Sequence, residues 1–511
     1  MTQTPLPSQP HAWPLHALIY EINTWPWLAA LGGGAQAPMT LEQVPDAEWD
    51  RIAALGADAV WLMGVWERSP AGVAIALADS ELMASFAEAL PDLDTSDVVG
   101  SPYCVRRYEV DPRLGGRSGL TVARRALEAR GVRLILDFVP NHVGPDHPWA
   151  ATHPEFFVRG DAADLEHTPQ GFVEIAGRVF ARGRDPYFPP WPDVVQLDAF
   201  SPALRERVVE TLLDIASQCD GVRCDMAMLP MNEIFQRTWG ERAGAPPAVD
   251  YWPEIIPQVR SEHPDFVFIA EAYWDMEWQL QQQGFDYCYD KRLYDRLVHE
   301  GAESVRLHLT ADVRYQEGLL RFIENHDEPR AASVFDRERH EAAAVTTLTQ
   351  TGARLVHDGQ TTGRRTRLPV FLGRLPEETG DEALEAFYRD LLLVLQDETF
   401  HAGEWRLCDR WGWDGNETWQ QLVAWSWEGA RRWLIVVNLG GSPAAGLVAA
   451  PWDDVGDRDW RLSDPTTGVE YLRRGDDLRN GLYVALEGWR WHCFRLAPAG
   501  LAGDPNKEIT Q

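Results

Sequence analysis

The chain has 511 residues, 45% of them hydrophobic, and a formal net charge of −31. That length exceeds what a single hydrophobic core normally fills, so two or three domains are expected. So acidic a chain repels nucleic acid and anionic membrane, and no segment reaches 18 uncharged apolar residues, which argues against a membrane-spanning helix.

The opening MTQTPLPSQPHAWP has neither the basic nor the apolar region of a secretory leader. Six cysteines (Cys104, Cys219, Cys224, Cys288, Cys408, Cys493) are scattered without a CxxC pair. Reduced thiols and a cytoplasmic location are therefore expected. Lysine occurs twice, at Lys291 and Lys507, so Schiff-base chemistry has one candidate in the body of the chain. GxxxxGK[ST], GxGxxG and GxSxG are all missing, which weakens phosphate-loop, dinucleotide and serine-hydrolase readings.

Short apolar runs recur along the chain: HALIYEI (16–22), AVWLM (59–63), VRLILDF (132–138), GVRCD (221–225), FVFIAEA (266–272), FDYCYD (285–290), LLRFIEN (319–325) and ARLVHDG (353–359). Helix-patterned segments such as GLTVARRALEARG and PALRERVVETLLDIASQ lie between them. Strands alternating with amphipathic helices predict βα units and a parallel sheet, and eight units predict an α/β (β/α)₈ barrel. Two connections, from Gly64 to about Pro112 and from His142 to about Phe200, are too long for simple βα loops. Both follow strands, so both rise over the face where barrel active sites lie. After about His401 the pattern changes to short strands and turns, which predicts an all-β sandwich. The expected domains are a tail at 1–15, a barrel over 16–141 and 201–400, an inserted domain over 142–200, a sandwich over 401–500 and a disordered tail at 501–511.

Four acids end predicted strands: Asp137, Asp225, Glu271 and Asp327. One such acid is often a helix cap, but four in register would face one pocket. Arg223 lies two residues before Asp225, so on a strand both point to the same side. A guanidinium there keeps Asp225 ionised, as a nucleophile needs. Glu271 has Ile269 at the equivalent place and so suits a protonated acid. One ionised and one protonated carboxylate about 5 Å apart form a retaining glycosidase pair. A metal-dependent barrel hydrolase is the competing reading of an acid cluster, but the first strand carries no HxH pair.

DFVPNH (137–142), GVRCD (221–225), FIAEA around Glu271 and ENHD (324–327) resemble the four conserved regions of the α-amylase superfamily, glycoside hydrolase family 13. SPYCVRRY followed by DPRLGG resembles that family's segment after strand two, and WPDVVQLD (191–198) its motif at the end of domain B. The resemblance runs from about residue 16 to 495. It implies Asp225 as nucleophile, Glu271 as general acid and then base, and Asp327 as the third acid that stabilises the transition state. It also implies that Arg223 orients Asp225 and that His142 and His326 hydrogen-bond the sugar. Tyr103 would stack on the sugar, Asp137 would support the scaffold, and Arg330 would line the site. The implied partner is an oligosaccharide or α-glucan.

Two departures stand out, and one is Arg107 in place of the usual Asp before the Tyr of the strand-two segment. Where the family often has Lys-His after the nucleophile, this chain has Met228 and Leu229. In many amylases those residues serve leaving-group subsites and help hold calcium. Asn141 matches a calcium-ligand position and is the candidate site for calcium, but one amide oxygen alone makes no hard-cation site, and no cofactor is expected to be required. The chain also carries 23 tryptophans, and Trp66, Trp149, Trp191, Trp274 and Trp278 fall in the loops that would surround a sugar. The leading expectation is a retaining hydrolase of α-glucosidic bonds. A transferase or isomerase shares its intermediate, and a silent carbohydrate-binding relative would not need all three acids.

Overall fold

Eight strands occupy the eight apolar runs: β1 (Leu18–Asn23), β2 (Ala59–Met63), β3 (Arg133–Phe138), β4 (Gly221–Cys224), β5 (Val267–Ala270), β6 (Tyr287–Tyr289), β7 (Leu319–Arg321) and β8 (Ala353–His357). In the computed structural model they close into a barrel in the order β1-β8-β7-β6-β5-β4-β3-β2. The pairs β1 with β2, β2 with β3, β3 with β4, β4 with β5, β5 with β6 and β7 with β8 are all parallel. Strands buried on both faces need no polar alternation, which is why they read as continuous apolar runs.

The structure describes residues 13–33 and 39–499. Most of the expected N-terminal tail and the whole of 501–511 lie outside the described residues. Residues 14 and 15, placed in the tail by the sequence, are tied to the fold, because the Tyr287 hydroxyl donates to the carbonyls of Pro14 and Leu15.

The chain divides into two compact units, Met1–Tyr289 with Leu368–Pro376, and Asp290–Arg367 with Glu377–Gln511. The first unit holds β1 to β6 and both long insertions. Its helices follow local rules. Pro202–Ala216 starts on Ser201, whose hydroxyl accepts from the Leu204 amide, and places Pro202 in its first turn. Gly116–Glu128 buries Leu120, Ala123 and Leu127, one stripe of a 3.6-residue period.

The insertion after β2 is an antiparallel pair, Trp66–Arg68 with Val105–Val110, plus two helices, Pro70–Ala78 and Ser80–Ala89. Its own small core joins Ala76, Phe86, Leu90 and Val98 to Leu368 and Leu372. Arg374 Nε lies 2.8 Å from Asp97 on the same excursion. The insertion after β3 is clipped at its base, where His142–Val143 pairs with Val195–Gln196. A hairpin, Phe172–Ile175 with Arg178–Ala181, stands above that clip.

The second unit holds β7, β8 and the all-β region expected near its end. That region has a six-stranded antiparallel sheet and a three-stranded one. They share a core that includes Leu434, Val436, Trp460, Leu482 and Phe494. No helix among the described residues is long and apolar enough to cross a membrane.

Candidate active site

Register puts Asp225 and Glu271 level with each other, with Asp137 two positions earlier on its own strand. Arg223 pairs with Asp137 on β3 and with Ile269 on β5, and Cys224 pairs with Ala270. Asp225 and Glu271 each follow the last residue of their strand by one position, so they emerge side by side. The ladder continues past the strand ends, with Asp225 N–H on Phe138 O at 2.8 Å and Glu271 N–H on Cys224 O at 3.0 Å.

Arg223 is buried and joins the two acids. Its Nη1 lies 2.7 Å from Asp225 Oδ1 and its Nη2 lies 2.9 Å from Glu271 Oε2. The second contact is an ion pair without aligned hydrogen-bond geometry. Nε donates to the Tyr289 hydroxyl at 3.2 Å. Three rings surround the guanidinium, with centroids at 5.3 Å (Trp61), 5.0 Å (Tyr103) and 5.6 Å (Tyr289). Burial opposes the charge, but Glu271 and then the surrounding tyrosines and Asp225 outweigh it, so the guanidinium is held firmly protonated. The sequence reading, which gave Arg223 to Asp225 alone, missed its reach across to β5.

Glu271 has further partners. The Met226 amide donates to Oε2 at 2.6 Å and the Tyr273 hydroxyl donates to Oε1 at 3.2 Å. Met226 has φ +40°, a left-handed backbone that a non-glycine residue adopts at some cost, and in this conformation its N–H meets Glu271.

Asp137 is wholly buried and takes the Trp61 indole N–H at 3.0 Å and the Gly64 amide at 2.6 Å. Gly64 has φ +78°, and a Cβ there would fall 2.6 Å from Arg68 Nη2, so only glycine fits this turn. Asp137 is thus a scaffold acid that fixes the β2 strand end.

His142 is buried, and the Asn141 amide approaches its Nδ1 at 3.3 Å. Burial lowers its pKa, against the pull of Asp225 and of the Tyr103 backbone, so it is neutral. The Trp191 ring packs against it at 5.1 Å. Asn141 is held in an amide pair, its Oδ1 accepting from Gln196 Nε2 at 2.8 Å. This donor set of amides without a carboxylate does not fit a hard dication. Among the described residues no group of three His, Cys, Asp or Glu could hold a metal. Met228 and Leu229 are buried and apolar, so neither presents a polar group to a ligand.

The tryptophans expected around the sugar divide. Trp66 is core and donates to Asp137 O at 2.7 Å, while Trp149 packs on Phe156. Trp274 meets Tyr187 of the second insertion at 4.8 Å, and Trp278 is half exposed. Trp274 and Asp275 both have left-handed backbones, φ +62° and +61°. Tyr187, Tyr273 and Tyr289 went unnoticed in the sequence. Tyr289 closes an alternating strand and Tyr273 lies two residues after an acid, but both read there as ordinary strand or loop aromatics.

In the second unit, His326 Nε2 lies 3.0 Å from Asp327 Oδ2. The Asn325 side chain accepts from the amides of Asp327 and Glu328, both at 2.9 Å, and shapes the turn. The Asp327 side chain is 38% exposed, open to a ligand in a way that buried Glu324 is not. Arg330 is committed to Glu324 Oε1 at 2.6 Å and to the Asp358 carbonyl at 2.8 Å. Burial would raise the Glu324 pKa, but Arg330 and His357 pull it down to about 2.

No family model matches the chain. Over 395 residues the chain is 24% identical to the α-amylase MalA of Haloarcula japonica, a match that covers 76% of this chain and 50% of the relative. The chain is similar in sequence to α-amylase superfamily proteins. An α-1,4-glucan:maltose-1-phosphate maltosyltransferase from Cereibacter sphaeroides is 28% identical over 185 residues, which cover 35% of this chain and 23% of the relative. The chain therefore spans at most about half the length of these curated relatives. Among solved structures, the maltogenic α-amylase AmyB from Thermotoga neapolitana superposes with a TM-score of 0.67. That superposition covers 94% of this chain and 99% of AmyB at 18% identity, and it shows the shared fold.

Proposed function

We propose that this chain is a retaining glycosidase of the α-amylase superfamily that cleaves α-glucosidic bonds of malto-oligosaccharides or related α-glucans. The observation that carries the reading is the bridging of Asp225 and Glu271 by the single guanidinium of Arg223. One guanidinium reaching both carboxylates brings them near each other, which supports a retaining pair, whose two carboxyl groups stand about 5 Å apart.

In this reading Asp225, paired to Arg223, attacks the anomeric carbon and forms a β-glycosyl ester. Glu271 gives its proton to the leaving oxygen and then takes one from water. By the family pattern Asp327, with His326 beside it, serves as the third acid and His142 as a hydrogen-bond donor to the sugar. Asp137 and its indole and amide partners keep the β2 and β3 strand ends in place. The names of the relatives, an α-amylase and a maltosyltransferase that uses an α-1,4-glucan, support this substrate class. Transfer to a sugar acceptor is the second reading, favoured by the maltosyltransferase match. Six buried, unbridged cysteines support a reducing compartment such as the cytoplasm.

The test compares products from maltose, maltoheptaose, isomaltose, trehalose and sucrose, with and without an added acceptor. Asp225→Asn and Glu271→Gln are each expected to abolish turnover with the fold intact. Near-native turnover of an aryl α-glucoside by Asp225→Asn would overturn the assignment.

A further inference from the structure

The two carboxylate oxygens of Glu271 have different surroundings. Oε2 takes the Met226 amide at 2.6 Å and lies 2.9 Å from Arg223 Nη2. Oε1 takes the Tyr273 hydroxyl at 3.2 Å. A proton on Oε2 would point at an N–H donor and a cation, neither of which can accept it. A hydroxyl can both donate and accept, so a proton on Oε1 meets a partner that turns to suit it.

Resting on the retaining reading above, we propose that Oε1 of Glu271 carries and transfers the catalytic proton, and that the Tyr273 hydroxyl is the positioning group that tunes it. In the first step the Oε1 proton passes to the glycosidic oxygen as the bond from that oxygen to the anomeric carbon breaks and the Asp225 ester forms. Glu271 is then a carboxylate, and Tyr273 donates to Oε1. In the second step Oε1 takes a proton from water as the water oxygen bonds to the anomeric carbon and releases Asp225. Tyr273 keeps its own proton throughout and changes only the direction of its hydrogen bond.

The surroundings of Tyr273 fit such a part. The two residues after it, Trp274 and Asp275, hold left-handed backbones that bulky side chains rarely adopt. Tyr187 packs edge-on against Trp274 at 4.8 Å and clamps that loop. Strain of this sort persists only where neighbours impose it, and it gathers at functional sites. Other charged and titratable groups that face Glu271 come from separate strands: Arg223 from β4 and Tyr289 from β6. Tyr289 accepts from Arg223 Nε, and its burial holds its proton in place, so it does not duplicate Tyr273.

The experiment is a pH profile of kcat/KM on a malto-oligosaccharide for the intact chain and two variants. Tyr273→Phe removes a donor to the carboxylate, so the basic limb should move up by about one pH unit. Its kcat should fall more than its KM changes. Placing 3-fluorotyrosine at position 273 keeps the shape and strengthens the donor, so the limb should move down. Opposite displacements support the proposal, and the fluorotyrosine arm decides it even if the phenylalanine variant does not fold. Unmoved limbs, with Glu271→Gln inactive, overturn the role of Tyr273 alone. An active Glu271→Gln overturns the retaining reading beneath it.

Discussion

Arg223 and Glu271 form an ion pair across neighbouring barrel strands, with Nη2 2.9 Å from Oε2. The same guanidinium holds Asp225, so the proposed nucleophile and the proposed acid share one cation.

A lysine at this place has a point charge where arginine has a fork. Arg223→Lys can therefore hold one acid and not both. It is expected to lower kcat by roughly a hundred-fold, the scale of a misplaced catalytic group. Steady-state kinetics with circular dichroism as the folding control checks this.

Asp137→Ala would leave the Trp61 indole and the Gly64 amide buried without their acceptor. Each unsatisfied donor costs about 1–3 kcal/mol. A thermal or urea melt should show a loss of that order per donor, and kcat should fall with it because β2 no longer ends in place.

Two histidines make stability depend on pH. Burial lowers His147 to about 3 and His340 to about 4, from an ordinary 6.5. Both are neutral in the folded chain, and their unfolded forms bind a proton first as pH falls. The stability they contribute is therefore complete above about pH 6.5 and is lost as pH drops toward 4 for His340 and 3 for His147. Melting temperatures measured between pH 7 and 4.5 should decline, and His340→Gln should decline less steeply than the native chain.

Tyr187 is half exposed and braces Trp274 near the acids. Tyr187→Ala removes a ring pair worth about 1 kcal/mol, so KM for a long malto-oligosaccharide should rise roughly five-fold. KM for a short aryl glucoside should change less, because it does not reach that rim.

The barrel was legible because its strands are buried on both faces. AVWLM and VRLILDF stand out as apolar runs, and Asp137, Asp225 and Glu271 lie at or near the ends of such runs. The inserted segments were legible as lengths, and their contents were not. Nothing in the sequence pairs Leu368 and Leu372 with Phe86, far away in the chain, because a small satellite core has no period of its own. Arg223 was read with Asp225 because they share a strand. Its contact with Glu271 depends on the register of β4 against β5, which sequence spacing does not encode. Asn141 was weighed as a metal ligand, and its amide pair with Gln196 comes from the clip between distant segments. Met228 and Leu229 were read as a divergent subsite, and they are packed into the interior.

The covalent intermediate on Asp225 is the central claim, and a trapping experiment tests it most directly. A 5-fluoro-α-glucosyl fluoride forms the ester quickly and hydrolyses it slowly, so the adduct accumulates. Peptide mass spectrometry after brief incubation should find one fluoroglucosyl unit on the peptide that contains Asp225, attached at that residue. Turnover of the reagent with no adduct, or an adduct on another residue, would contradict the account.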